Sequence, residues 1–136
     1  MFASWLYVSI SRLDPEAATE DVERIVAVSN IRNRALDVTG ALLFTGDRFV
    51  QLIEGPSNSI TELQRSIFRD ARHHEVTTIR SDDIEECEFL GWSLAYAGPS
   101  RLVSKVVADG IAESLRDPRT GSKILISLLH KFSPLD

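Results

Sequence analysis

From Ser4 to Ser11 apolar and polar residues alternate with a period of two. Trp5, Tyr7 and Ser9 fall on one side and Leu6, Val8 and Ile10 on the other, predicting a strand with one apolar and one semi-polar face. The period then lengthens. After "DPEAATED", in which Asp14 stands as a helix cap and Pro15 in the first turn, Val22, Ile25, Val26, Ser29 and Arg32/Asn33 recur at helical spacing. An amphipathic helix of about five turns follows. Two strand-like runs, Val38–Thr45 and Arg48–Glu54, flank a Gly46-Asp47 turn signal and predict a β-hairpin. Gly55-Pro56-Ser57 breaks the second run. The stretch "SITELQRSIFRDARHH" is then a second helix, capped by Ser57 or Asn58, with Ile60, Leu63, Ile67 and Ala71 as its apolar stripe. A fourth strand is predicted at Val76–Arg80 and, beyond the acidic "DDIEECE", a fifth at Trp92–Ala97.

This order, βαββαββ, predicts an α+β ferredoxin-like sandwich: one mixed five-stranded sheet with both helices on one face, followed by C-terminal helices. Gly98-Pro99 marks the boundary between a domain over 1–97 and a helical extension over 98–136, serving output or oligomerisation. The extension reads as two short helices around Asp117-Pro118. The second carries Ile124, Leu125, Leu128, Leu129 and Phe132 and is too apolar to stand alone in water. It needs the free face of the sheet, a second subunit or a partner to cover it.

One residue breaks the pattern. In "DRFVQLIEG" Gln51 lies among Phe49, Val50, Leu52 and Ile53, so neither face of its strand is clearly wet. A buried amide without partners costs about 1–3 kcal/mol. Gln51 therefore has a structural partner or meets a ligand. Tyr7, Asn33 and Arg72, the last at the end of the second helix, lie on elements that pack around it. Taken singly, Tyr7 reads as a core tyrosine, Asn33 as a helix C-terminal residue, Arg72 as a cation favoured by the helix dipole and Trp92 as a core aromatic.

Composition narrows the function. The 136 residues suit one domain with a small appendage, and a net charge of -5 disfavours a general binder of nucleic acid or anionic membrane. No segment approaches the ~20 apolar residues of a membrane span. The N-terminus lacks a signal-peptide pattern, and Cys87, the sole cysteine, forms neither a disulfide nor a thiolate cluster, so a cytoplasmic protein is expected. No enzyme motif stands out. His73 and His74, adjacent on a helix, would point about 100° apart, and His130 is distant in sequence, so no metal site is expected. Cys87 reads as a buried or partly buried small residue, and Asp82, Asp83, Glu85 and Glu86 read as a solvated loop.

The stretches "LYVS", "NIRNRALDVTGALLF", "RFVQLIEGP", "RDARHHEV" and "FLGWSLAY", in that order, resemble the flavin-binding blue-light sensor domain called BLUF. The resemblance covers the whole α+β unit. It implies an oxidised flavin, FAD or FMN, held between the two helices, with no substrate converted. It places Asn33 and Arg72 at the polar edge of the ring, Ile25 and Ser29 along it from the first helix, and His73 on the opposing helix. It further implies that Tyr7 gives an electron, coupled to a proton, to the excited flavin, and that Gln51 then changes its hydrogen bonding by rotation or tautomerisation.

Trp92 and Leu94 match the positions of signal relay. Leu94 stands where the family usually has methionine, and Cys87 where a basic residue is common. Loss of the polarisable sulfur near Gln51 bears on dark recovery and transmission rather than on primary photochemistry. The resemblance also implies a separate downstream signalling protein and a homodimer or larger homo-oligomer, with no nucleic acid or membrane as partner. Two other readings stand beside it: a flavin-free interaction module of the same fold, and a small ferredoxin-like enzyme with a ligand in the same groove.

Overall fold

A computed structural model describes residues 1–98 and 100–132, so Pro99 of the expected boundary and the end of the extension lie outside the described residues. The elements are β1 (Phe2–Ser11), α1 (Ala18–Ala35), β2 (Thr39–Phe44), β3 (Arg48–Pro56), α2 (Ser57–Arg69), β4 (His73–Ile84), β5 (Trp92–Ala97), α3 (Arg101–Arg116) and α4 (Pro118–Phe132). They form one sheet in the order β4-β1-β3-β2-β5. The first four strands pair antiparallel and β5 joins β2 in parallel, giving the mixed five-stranded α+β sheet that the pattern predicts.

The alternation along β1 divides the core in two. Trp5 and Tyr7 face α1 and α2 with Val22, Ile60 and Leu63, whereas Leu6 and Val8 face α3 and α4 with Val107, Ile111, Leu125 and Leu129. The chain is thus a three-layer structure with a helix pair on each face. Gln51 and its neighbours are buried on both faces, which is why β3 reads as a continuous apolar run. The hairpin turns at Gly46, whose φ of +104° suits glycine, and Thr45 Oγ1 donates to Asp47 Oδ1 at 2.9 Å.

Helix α4 takes the first of the three covers open to it, the free face of the sheet. Leu125, Ile126 and Leu129 are buried there, while Ile124 stays exposed. The two C-terminal helices cross in contact at Gly121, where a Cβ would fall 2.1 Å from Ser114 Cα. Only a residue without a side chain permits that approach.

Several boundaries differ from the sequence reading for local reasons. Asp14 does not cap α1: its carboxylate accepts from Glu16 N–H at 3.1 Å and its carbonyl from Ala17 N–H at 3.0 Å, so Pro15 belongs to a turn before the helix. Helix α2 begins at Ser57 with Pro56 as its flanking residue, and no side chain caps it. It ends at Arg69, leaving Ala71, Arg72, His73 and His74 outside. Asp70, in extended geometry, accepts the Arg72 N–H at 3.0 Å and stops the helix. Arg72 therefore lies in the turn beyond α2, and His73 opens β4 rather than sitting on a helix. Strand β4 runs well past the predicted Val76–Arg80, and Asp82 and Asp83 belong to it rather than to a loop.

Truncating Leu129 to alanine should lower stability by about 2–5 kcal/mol, read as the shift in the urea unfolding free energy, because the side chain is fully enclosed between α4 and the sheet.

Candidate functional site

Tyr7 and Gln51 are directly opposite each other on the two central strands. Both are buried, and the Tyr7 hydroxyl donates to Gln51 Oε1 at 2.6 Å. The pair belongs to a register row that crosses the whole sheet, Thr78–Tyr7–Gln51–Leu42–Leu94, with one residue from each strand. Burial, and secondarily the Asp70 carboxylate, hold the Tyr7 phenol well above its ordinary pKa of 10.0, while Arg32 acts in the opposite sense.

Above this pair, between α1 and α2, lies a cleft open to solvent. Tyr7, Ile25, Ser29, Gln51, Arg72, His73 and Trp92 line it, so seven of the expected site residues share one cleft. Ile25 and Ser29 are only half-buried although they lie in the middle of α1. The cleft separates that stretch of the helix from the sheet.

Asn33 is not on the cleft wall. It is buried one turn after Ser29, with its backbone carbonyl accepting from Val38 N–H at 2.8 Å and its Oδ1 without a hydrogen-bond partner among the described residues. Trp92 Nε1 is likewise buried without a partner there. One acceptor and one donor thus remain unsatisfied beside a cleft of mixed aromatic and polar walls. Leu94 lies in the same row as Leu42, packed into the core on the α1–α2 side, and does not line the cleft.

His73 fastens the floor. Its Nε2 lies 2.7 Å from the Ile67 carbonyl oxygen, which can only accept, so Nε2 carries a proton; Nδ1 meets Ser9 Oγ at 2.8 Å. The imidazole so joins β1 to the end of α2 and sets its edge toward Tyr7, with ring centroids 6.0 Å apart. Arg72 turns to Asp70, with Nε donating to Oδ1 at 2.8 Å, and this guanidinium holds the Asp70 carboxyl below the usual carboxylate range.

Arg32, Leu42, Phe49, Ile67 and Asp70 complete the wall and were not anticipated as site residues. Leu42 and Phe49 could have been found, since they share the strand face of Gln51. Arg32 donates to Ser66 Oγ at 3.4 Å across the mouth of the cleft, a link between helices that spacing within one helix does not reveal. Among the described residues no group of three or more His, Cys, Asp or Glu is arranged to hold a metal. Burial pushes the Cys87 thiol pKa up, away from reactive thiolate.

Tyr7, Phe49, His73 and Trp92 give the cleft aromatic walls, and the unpaired Trp92 N–H is a donor on a lining residue, a chemistry that fits a planar heteroaromatic ligand carrying carbonyl groups. The fold and the site together define a small α+β domain with an open cleft over a buried phenol–amide pair.

The family model described as "Sensors of blue-light using FAD" matches residues 2–95, and the chain belongs to this BLUF family. It is 36% identical over 72 residues to the blue light- and temperature-regulated antirepressor BluF of Escherichia coli (strain K12), a match covering 53% of this chain and 18% of that protein. The chain therefore spans less than a fifth of that relative's length. Among solved structures it resembles the dark state of BlrB, a BLUF protein, at 32% identity and a TM-score of 0.71, covering 96% of each chain. It also resembles Klebsiella pneumoniae BlrP1 with FMN and cyclic diGMP, at 28% identity and a TM-score of 0.63, covering 69% of this chain and 25% of that one. The family is one of blue-light sensors that use flavin.

The Tyr7–Gln51 bond has a measurable signature. Tyr7→Phe should cost about 1–3 kcal/mol at neutral pH by leaving a buried amide oxygen unpaired. Because folding raises the Tyr7 pKa, the neutral phenol is the form that favours the fold. Its contribution is full below pH 10.0 and declines as pH rises further. Urea unfolding against pH should show the wild-type advantage over Tyr7→Phe shrinking above that value.

Proposed function

We propose that Tyr7 and Gln51 form the light-operated switch of this sensor, and that Ile25, Ser29, Asn33, Arg72 and His73 hold the ring of FAD or FMN beside them. The observation that carries this reading is the buried 2.6 Å hydrogen bond from the phenol to the amide. When bound, the flavin supplies absorption of blue light and, once excited, an acceptor for one electron.

Tyr7 is the source of that electron. Its phenol proton already lies in a short bond to Gln51 Oε1, so loss of an electron and loss of that proton are coupled along one line. Gln51 offers an acceptor at one end of its amide and two donors at the other. Turning the amide, or moving a proton within it, replaces an acceptor by a donor at the same place. Two arrangements of one hydrogen-bond network result, and light biases the choice between them.

The row from Gln51 through Leu42 to Leu94 supports a relay toward β5, with Trp92 two residues from Leu94 on the same strand face. The leucine lacks methionine's soft sulfur, and the coupling it provides is one of packing. Output proceeds through a separate downstream signalling protein, with the chain itself a homodimer or larger homo-oligomer. Val28, Ile31 and Leu90 are large apolar residues exposed to solvent and support such contacts. A cytoplasmic location accords with the single cysteine, and no helix of the described residues is long and apolar enough to cross a membrane.

Blue illumination of the flavin-loaded protein should give a small reversible red shift of the flavin band. Tyr7→Phe and Gln51→Leu should keep the flavin and lose that shift; a normal shift in both variants would refute the assignment. Asn33→Ala should weaken flavin binding about tenfold, measured by quenching of flavin fluorescence on titration into the flavin-free protein.

A further inference from the structure

Trp5 has no part in the switch as described, yet it makes a close ring contact with Tyr7. The two side chains lie two residues apart on the same face of β1, and their rings stack with centroids 4.6 Å apart and planes inclined by 27°. This is the near-parallel approach in which aromatic π-systems interact well. Trp5 is fully enclosed. Its Nε1–H donates to Thr78 Oγ1 at 2.9 Å, and Phe68 lies against it at 5.4 Å between centroids. Its indole N–H is therefore already provided with an acceptor.

A phenol that has lost an electron but kept its proton is a stronger oxidant than an indole that has lost an electron, so it draws one from a neutral indole. Once the proton has left, the neutral phenoxyl no longer draws an electron from indole. We propose that Trp5 is a second redox-active residue, which refills the electron vacancy on Tyr7 and so competes with the rearrangement of Gln51. This inference rests on the assignment of Tyr7 as the electron donor.

The electrons balance within the site. Tyr7 loses one electron to the excited flavin, the oxidant of the blue-light reaction. Trp5 then gives one electron to Tyr7, which returns to a neutral phenol with its proton still on the hydroxyl. The indole is left one electron short, its N–H proton retained in the bond to Thr78. Trp5 recovers the electron that was passed to the flavin, so no bond is made or broken and nothing is consumed. Tyr7 thus stands at a branch: the 2.6 Å bond to Gln51 leads to the signalling state, and the 4.6 Å stack on Trp5 leads back to the dark state.

Transient absorption after a blue flash, applied to flavin-loaded wild type, Trp5→Phe, Trp92→Phe and Thr78→Val, tests the branch. An indole-radical signal should appear in wild type and Trp92→Phe and be lost in Trp5→Phe, whose yield of red-shifted state per absorbed photon should rise. Thr78→Val changes an exposed position, leaves the core in place and should diminish the signal by removing the indole's acceptor. In the flavin-free protein, near-UV circular dichroism of the stacked pair should fall alike in Trp5→Phe and Tyr7→Phe. A missing signal in wild type, its survival in Trp5→Phe, its loss in Trp92→Phe instead, or an unchanged yield in Trp5→Phe overturns the proposal. A red shift that persists in Tyr7→Phe is a different failure, that of the switch assignment itself.

Discussion

The structure depends on one hydrogen bond, from the Tyr7 hydroxyl to Gln51 Oε1, made where two central strands are covered on both sides. Inside a sheet a polar pair is tolerated only when it is mutually satisfied and kept from water. The covering helices supply that condition. α3 and α4 cover the far face with Val107, Ile111, Leu125 and Leu129, and the cleft beside the pair lies on the near face. An amide in an otherwise apolar strand is thereby confined to a choice between Tyr7 and whatever occupies the cleft.

Charge around the pair is arranged to keep the phenol neutral. The Asp70 carboxylate, tethered by Arg72, opposes ionisation of Tyr7, and Arg32 across the mouth favours it. Burial outweighs both. On the proposed reading, a neutral phenol is the form that can give up an electron and then pass its proton to Gln51, whereas a phenolate would have no proton to pass. His73, fixed through both ring nitrogens, holds the end of α2 and the end of β1 together beside the pair.

Strand alternation made much of this legible. The two faces of β1 and the double burial of β3 follow directly from the positions of Trp5 to Val8 and Phe49 to Ile53. Gln51 could be singled out because an unpaired amide is costly, but its partner could not be named from spacing, since Tyr7 is 44 residues away and meets it only through register. The end of α2 was misread because "RDARHH" continues helical periodicity. Asp70 stops the helix by bonding to the Arg72 N–H, a local competition invisible to an apolar stripe. That error placed His73 on a helix, although it lines the expected cleft. Arg32 and Asp70 were missed because their role is electrostatic and across elements.

Strand β5 differs in kind from the rest of the sheet. It is short, lies at an edge, and has a single neighbour, β2, to which it pairs in parallel. Parallel ladders are slightly weaker per residue, and an edge strand with one neighbour opens locally more readily than a central one. The tyrosine and glutamine sit on inner strands paired on both sides, while Trp92 and Leu94 sit on an edge strand paired on one. On the proposed reading, a change of a single hydrogen bond at the centre of the sheet is relayed to a strand held by one parallel ladder only, where a small change in packing meets the fewest backbone bonds.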